Sequence, residues 1–138
     1  MVDIVDFAAA LGRLATLHGR TPTSTEAERA GAFARLMAYR DGAIFLAKFD
    51  GTSAWERHPQ GDEIVQIMAG ETTLRLLTDA GCESLSLKAG MMAIVPRNVW
   101  HQFVAPDGVS VMTATPQPTE HLRVDVDDPR TVTSEVPA

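Results

Sequence analysis

The hydrophobic positions of the chain follow two periods, a helical one near the amino terminus and a strand-like one from Phe33 onward. Four apolar residues recur at helical spacing in the first segment: Phe7, Leu11, Leu14 and Leu17. This spacing predicts an amphipathic helix of about four turns, with Asp3 placed to cap its start and Gly19 to end it. His18 would then lie in the last turn, where it suits the helix dipole.

A polar segment, RTPTSTEAERAGAF, separates this helix from the rest of the chain. It contains Thr25 and Glu28 at the spacing of a capping box. We therefore expect one short helical turn within the linker.

The pattern then changes to that of β-strands. Arg40, Asp41 and Gly42 join two apolar runs, and an Asp-Gly pair in this position is a strong hairpin signal. Further short runs follow, each bounded by Gly, Pro, Asp or Asn: EIVQIMAG, TTLRLLT, ESLSLKAG, MMAIVP, VWHQFVA and VSVMTATP. Their spacing predicts an all-β sandwich or barrel.

The length of 138 residues fits a single domain with one core. We assign residues 1–32 to an N-terminal helix and linker, residues 33–116 to a β-barrel, and residues 117–138 to an acidic, turn-rich C-terminal tail. The helix and the first hairpin can cover the sheet edges of an open barrel, within one chain or across two. On this basis we expect a homodimer.

The composition narrows the range of partners. The net charge is −6 and the pI is near 5.1, with no run of Lys or Arg, which argues against binding to nucleic acid. No apolar segment approaches the ~20 residues of a membrane helix, and the chain starts with acids where a signal peptide carries bases. We therefore expect a cytoplasmic protein with no membrane partner. Cys82 is the only cysteine, which excludes an internal disulfide.

The candidate chemistry is concentrated in the stretch AWERHPQGDEIVQIMAG. On a strand, Glu56 and His58 point to one face and Arg57 to the other. The turn PQGD can fold Glu63 back towards His58, and His101 begins a later strand. Two histidines and a carboxylate on neighbouring strands are typical of open Fe(II) sites and of related Mn, Ni or Zn sites. Glu56 is a candidate fourth ligand, and its charge would help to neutralise the ion.

The two segments resemble the two conserved motifs of the cupin superfamily, small β-barrels with a metal site in the barrel mouth. The first family motif runs from a glycine through a His-x-His pair and a glutamate to a second glycine. The corresponding residues here are Gly51, Glu56-Arg57-His58, Glu63 and Gly70. The positions of the second motif are occupied here by Gly90, Pro96, Asn98, His101 and Ala105. The resemblance covers residues 33–116 and implies a jelly-roll barrel, that is, a double-stranded β-helix.

This chain departs from the family motifs at three positions. Asn98 replaces a glycine but tolerates positive φ, so we expect the turn to be kept. Ala105 replaces an asparagine. Glu56 replaces the first histidine, which either substitutes an oxygen ligand for nitrogen or removes a ligand. His58, Glu63 and His101 would still provide two histidines and one carboxylate, while a metal-free barrel remains an alternative.

The neighbours of these residues have simpler interpretations. Trp55 and Trp100 each precede a candidate ligand, so they face away from the site and we expect them to pack in the core. Asp62 is interpreted as a turn residue and His121 as a surface residue. Three apolar residues are candidates to line the barrel cavity: Phe45, Met68 and Phe103.

Two functions are consistent with these residues, beside a purely structural alternative in which Glu56 and Glu63 are solvated at the barrel rim. In the first, a divalent transition metal at the barrel mouth serves an enzyme of dioxygenase or isomerase type that acts on a small organic molecule. Glu56 would then be a ligand or, if it does not bind the ion, a general base. In the second, the barrel is a non-catalytic small-molecule binding or sensor protein, with or without metal. The second gains some support because no Arg or Lys is predicted to face the cavity.

Overall fold

A computed structural model of the chain describes residues 2–132. Two short α-helices and a 3-10 turn accompany the strands: α1 (Phe7–Gly12), α2 (Glu26–Arg29) and the turn Pro129–Thr131. The strands are β1 (Leu17–Arg20), β2 (Phe33–Tyr39), β3 (Gly42–Thr52), β4 (Trp55–Arg57), β5 (Glu63–Thr78), β6 (Gly81–Lys88), β7 (Met92–Val95), β8 (His101–Pro116) and β9 (Glu120–Leu122).

The strands form one curled sheet. Strand β8 lies between β3 and β5 and runs antiparallel to both. Strands β6 and β7 pair with β5, while β4 connects β8 to β9. Strand β2 pairs with β3 in the hairpin predicted at Asp41-Gly42. The predicted all-β jelly roll with an N-terminal helix is thus confirmed, although the helix is shorter than predicted.

Two long strands, β5 and β8, tie the halves of the barrel together. Each was interpreted from the sequence as two short strands, but each is one bent strand of 16 residues. The register between them shifts around Gly70, which has a φ of 74°. A Cβ on Gly70 would lie 2.3 Å from the carbonyl oxygen of Gly108, so glycine lets the two backbones approach at the bend.

The core has two parts. The larger one fills the barrel and includes Phe49, Val65, Ile67, Leu74, Phe103 and Val111. The smaller one, outside the barrel, contains Trp55, Leu77 and Trp100, with Leu122 and Val126 packed against it. The indole Nε1 of Trp55 donates a hydrogen bond to the carbonyl of Val126 at 3.0 Å. The predicted packing role of both tryptophans is confirmed. The hydrogen bond between Trp55 and Val126 also attaches the C-terminal segment to the barrel.

The N-terminal segment differs most from the prediction. Helix α1 has six residues instead of about four turns, and Asp6, not Asp3, caps it by accepting a hydrogen bond from the Ala9 amide. Leu17 and His18 lie on β1, which pairs parallel with β3. The leucines of the N-terminal segment have helical spacing, yet part of this segment forms a strand. The reason is that β1 joins the sheet edge by backbone hydrogen bonds, which depend little on side chains. The capping box of Thr25 and Glu28 is confirmed.

Strands β1 and β9 lie outside the predicted barrel segment 33–116, yet both belong to the same sheet. No helix among residues 2–132 is long and apolar enough to cross a membrane. The homodimer and the cytoplasmic location stay predictions.

Candidate metal centre

The site lies where β4, β5, β8 and β9 meet. Glu56 of β4 pairs with His101, the first residue of β8, and with His121 of β9. Glu63 opens β5, whose alternating burial places Glu63 on the same inward face as Val65. His58 directly follows β4, and its carbonyl accepts a hydrogen bond from the Asn98 amide. The turn at Asn98 therefore holds the segment that contains His58 against the loop that leads to His101.

Four candidate ligands converge in this place, as the sequence predicts. One ligand atom from each of Glu56, His58, Glu63 and His101 lies within 4.8 Å of the others. Nε2 of His101 is 3.1 Å from Oε1 of Glu63 and 3.5 Å from Oε1 of Glu56. Nε2 of His58 is 3.1 Å from Oε2 of Glu63, but the geometry is not that of a hydrogen bond, and Nε2 has no other hydrogen-bond partner in the described part of the chain. The side chains of His58, Glu63 and His101 are almost fully buried.

The outer contacts of these side chains aim their ligand atoms inward. Nδ1 of His101 donates to the carbonyl of Val99 at 2.9 Å, and Nδ1 of His58 lies 3.0 Å from the hydroxyl of Thr119. The hydroxyl of Thr115 donates to Oε2 of Glu63 at 2.6 Å. Metal-binding histidines in proteins almost always engage their second ring nitrogen in this way. The two nitrogen and two oxygen donors therefore fit a divalent transition metal.

The charges of the cluster are strongly coupled. Burial alone would lower the pKa of His101, but hydrogen bonds to Glu56 and Glu63, with their charges, raise it to about 10. Burial alone would raise the pKa of Glu56, but hydrogen bonds to His101 and His121 hold it well below its ordinary value. The pKa of Glu63 is also lowered, because its hydrogen bonds outweigh the effect of burial. Without an ion, a protonated His101 thus partly neutralises the two glutamates.

Three members of the cluster, Glu56, His58 and Glu63, line a cavity of about 320 Å³. Phe45 and Phe103 line this cavity, as predicted. Met68 does not, because the buried residues of β5 alternate and Ile67 is the inward neighbour. Asn98 adopts the predicted positive φ, at 64°, and Asp62 is a turn residue that accepts a hydrogen bond from the Arg97 amide at 2.7 Å.

One prediction about the cavity wall is incomplete and another is wrong. His121, interpreted as a surface residue, is exposed, yet it also lines the cavity, and its Nε2 lies 3.3 Å from Oε2 of Glu56. Arg20 and Arg29 also line the cavity, although no basic residue was expected there. The pairing of β9 with β4 brings in His121, and the pairing of β1 with β3 brings in Arg20. No motif in the sequence signals either pairing, because both strands are only three or four residues long.

The fold and the site are those of a small jelly-roll barrel with a His/Glu group at its mouth. The Cupin_2 family model, described as a cupin domain, matches residues 45–114, about half of the chain. The chain therefore belongs to the cupin family. Comparison with curated proteins finds no match.

Solved structures share the fold. A cupin-2 domain containing protein from Shewanella frigidimarina is similar with a TM-score of 0.54 and 24% identity, covering 62% of this chain and 80% of that one. A hydroquinone 1,2-dioxygenase in complex with Cd²⁺ and 4-hydroxybenzonitrile has a TM-score of 0.52 and 18% identity, with coverage of 61% and 63%. The hydroquinone 1,2-dioxygenase from a Sphingomonas species with 4-hydroxybenzoate bound gives 0.52 and 20%, with coverage of 60% and 64%. At these identities the likeness establishes the fold alone.

Proposed function

We propose that the protein binds a divalent transition metal (Fe, Mn, Ni or Zn) and is a metal-dependent enzyme that acts on a small organic molecule. The observation that carries this proposal is the convergence of two imidazole nitrogens and two carboxylates at the wall of a cavity. A cavity of about 320 Å³ is at the small end of the range that holds ligands. Dioxygenase and isomerase chemistry both fit such a site.

The residues have distinct proposed roles. His58, Glu63 and His101 hold the ion, and Oε1 of Glu56 supplies the fourth ligand. When bound, the ion provides a Lewis acid or a centre for oxygen activation. Oε2 of Glu56 faces His121 at 3.3 Å, so this pair can exchange a proton with a molecule in the cavity. His121 is partly exposed, which gives the proton a path to solvent.

The sensor alternative loses the support it had from the sequence. That support rested on a cavity without a basic side chain, and Arg20 and Arg29 line the cavity. Both enzymes and binding proteins use a cation to orient an anionic ligand, so these arginines do not distinguish the two functions. An open coordination position on the bound ion would distinguish them.

We expect a bound ion to keep at least one exchangeable water, because Glu56, His58 and Glu63, which would hold it, line a cavity that is open to small molecules. Mn²⁺-loaded protein should therefore raise the longitudinal relaxation rate of water protons above the level expected for a closed site. Mn²⁺ with the His101→Ala variant serves as the control for loosely bound ion. A relaxation rate at the closed-site level would contradict the enzyme proposal and favour a structural ion.

Metal affinity should rise with pH. The pKa of His101 is raised to about 10 in the ion-free protein, so its Nε2 carries a proton at neutral pH. Binding of an ion displaces that proton, and the apparent Kd for Zn²⁺ should fall about tenfold per pH unit between pH 6.5 and 8.5. Competition with a chelator of known pH dependence measures this slope. An affinity that does not change over this interval would show that His101 is not protonated before binding or is not a ligand.

A further inference from the structure

A series of aromatic rings leads along the cavity wall from the His/Glu group to a partly buried cation. The ring of Phe103 meets the ring of His101 edge-on at 6.4 Å and that of Phe49 at 6.3 Å. The guanidinium carbon of Arg20 lies 4.5 Å from the centre of the Phe49 ring and 4.8 Å from that of Phe33. The cavity thus has a cationic part, an aromatic wall and a His/Glu part.

The backbone holds Arg20 firmly in this position. Arg20 ends β1 and pairs with Gly51 of β3. Gly51 has a φ of 106°, and a Cβ on it would lie 2.3 Å from the carbonyl oxygen of Arg20. The close approach of the two backbones requires glycine, so Gly51 fixes where the Arg20 side chain enters the cavity wall.

The guanidinium of Arg20 lacks an anionic partner in the described part of the chain. Its Nε is buried, and no acceptor within residues 2–132 reaches it. Burial lowers its pKa to about 10, with the charge of Glu56 acting in the opposite direction, so the group remains charged at neutral pH. A buried charge without a hydrogen-bonding counterion is costly. A ligand that brings a negative charge would remove this cost.

The second arginine plays a lesser part. Arg29 reaches the Phe33 ring at 5.7 Å, and its Nε donates to the carbonyl of Thr25 at 3.3 Å. It lies closer to solvent than Arg20, where it can attract an anion towards the cavity.

We propose that the cavity binds a small organic anion, a carboxylate on an aromatic or apolar body, with the carboxylate on Arg20 and the body against Phe49 and Phe103. Guanidinium and carboxylate form strong paired hydrogen bonds, and an aromatic body matches the ring-lined wall. This inference names the substrate class of the proposed function and rests on it for the reaction, whereas the anion site can be tested without any metal.

The test uses benzoate as the probe and benzamide as its uncharged counterpart. Binding is followed through the Nε–H resonances of the arginines in proton–nitrogen NMR spectra, with Arg20→Lys identifying the Arg20 signal. We expect benzoate to shift this signal and benzamide to leave it unchanged. Arg20→Met should weaken benzoate binding about 10- to 100-fold, the range for a lost charge-assisted hydrogen bond. Arg20→Lys should lose less, and Arg13→Met, at an exposed position outside the cavity, should behave as wild type.

Experiments on chelator-treated protein and on Zn²⁺-loaded protein separate the two proposals. Benzoate binding through Arg20 in a protein that takes up no metal would leave the anion site standing and overturn the metal-dependent function. Normal metal uptake with no shift of the Arg20 signal, or with equal benzoate affinity for wild type and Arg20→Met, would overturn the anion site. The melting temperature of Arg20→Met, measured beside that of wild type, shows whether the variant is folded before its benzoate affinity is compared.

Discussion

Replacing His101 with alanine is expected to abolish stoichiometric metal binding. His101 is fully buried, and its Nε2 faces both glutamates while Nδ1 is fixed by the carbonyl of Val99. Loss of a residue that only hydrogen-bonds to a metal ligand typically costs about 10- to 100-fold in metal affinity. Loss of the ligand itself should therefore cost more than about 100-fold. Elemental analysis of the protein as purified, and after reconstitution with Fe, Mn, Ni or Zn, measures the effect. His58→Ala should behave in the same way.

The controls separate loss of a ligand from loss of the fold. His18→Ala removes a histidine that lies outside the cluster, where it pairs with Asp50 at 2.6 Å, and should keep the metal. His101→Gln fills more of the buried volume than alanine and should lose the metal while remaining folded by circular dichroism. Glu56→Gln tests the fourth ligand: reduced metal content supports coordination, whereas full metal content with lost turnover would assign Glu56 to the general-base role. Wild-type metal content in both His101 variants would contradict the proposed site.

Gly51→Ala is expected to give a large loss of stability. At a φ of 106° an alanine is strained, and its Cβ would lie 2.3 Å from the carbonyl oxygen and 2.6 Å from the amide nitrogen of Arg20. Both clashing atoms are backbone, so β1 must separate from β3. We expect the free energy of unfolding to fall by about 3–5 kcal/mol, the range of a severe backbone defect. Urea unfolding measures this change.

Gly81→Ala is the matched control. Gly81 has nearly the same φ, 111°, but a Cβ there would meet nothing within 4 Å. Its replacement should therefore show the conformational strain alone, about 1–3 kcal/mol. Gly51→Ala should also weaken benzoate binding because it displaces Arg20, whereas Gly81→Ala should not. Equal losses of stability in the two variants would show that the contact between β1 and β3 contributes little.

Most of the candidate site could be predicted because its residues belong to one continuous local pattern. Glu56, His58 and Glu63 lie within a few residues of one another around a turn, and strand alternation determines the face on which each lies. His101 is distant in sequence, and its place followed from the second family motif. The Asn98 turn was also predictable, because the positive φ that it adopts is one that few residues tolerate.

Other features depended on contacts that local pattern does not describe. The helical spacing of Leu14 and Leu17 favoured a long helix, yet the chain leaves the helix at Gly12 and Leu17 begins a strand. A helix of this length is only marginally stable by itself, so the sheet edge decides the conformation. Strands β5 and β8 look like pairs of short strands because the glycines at their bends resemble turn signals.

The sequence by itself determined the barrel, its hairpin and turn, and the faces that carry Glu56, His58, Glu63 and His101, because these follow from residue type and strand period. Only the tertiary structure decided what else reaches the cavity. His121 and Arg20 arrive on strands of three and four residues, which are too short to carry a period of their own. They are placed by backbone hydrogen bonds to β4 and β3, and such bonds leave almost no trace in the identity of the side chains.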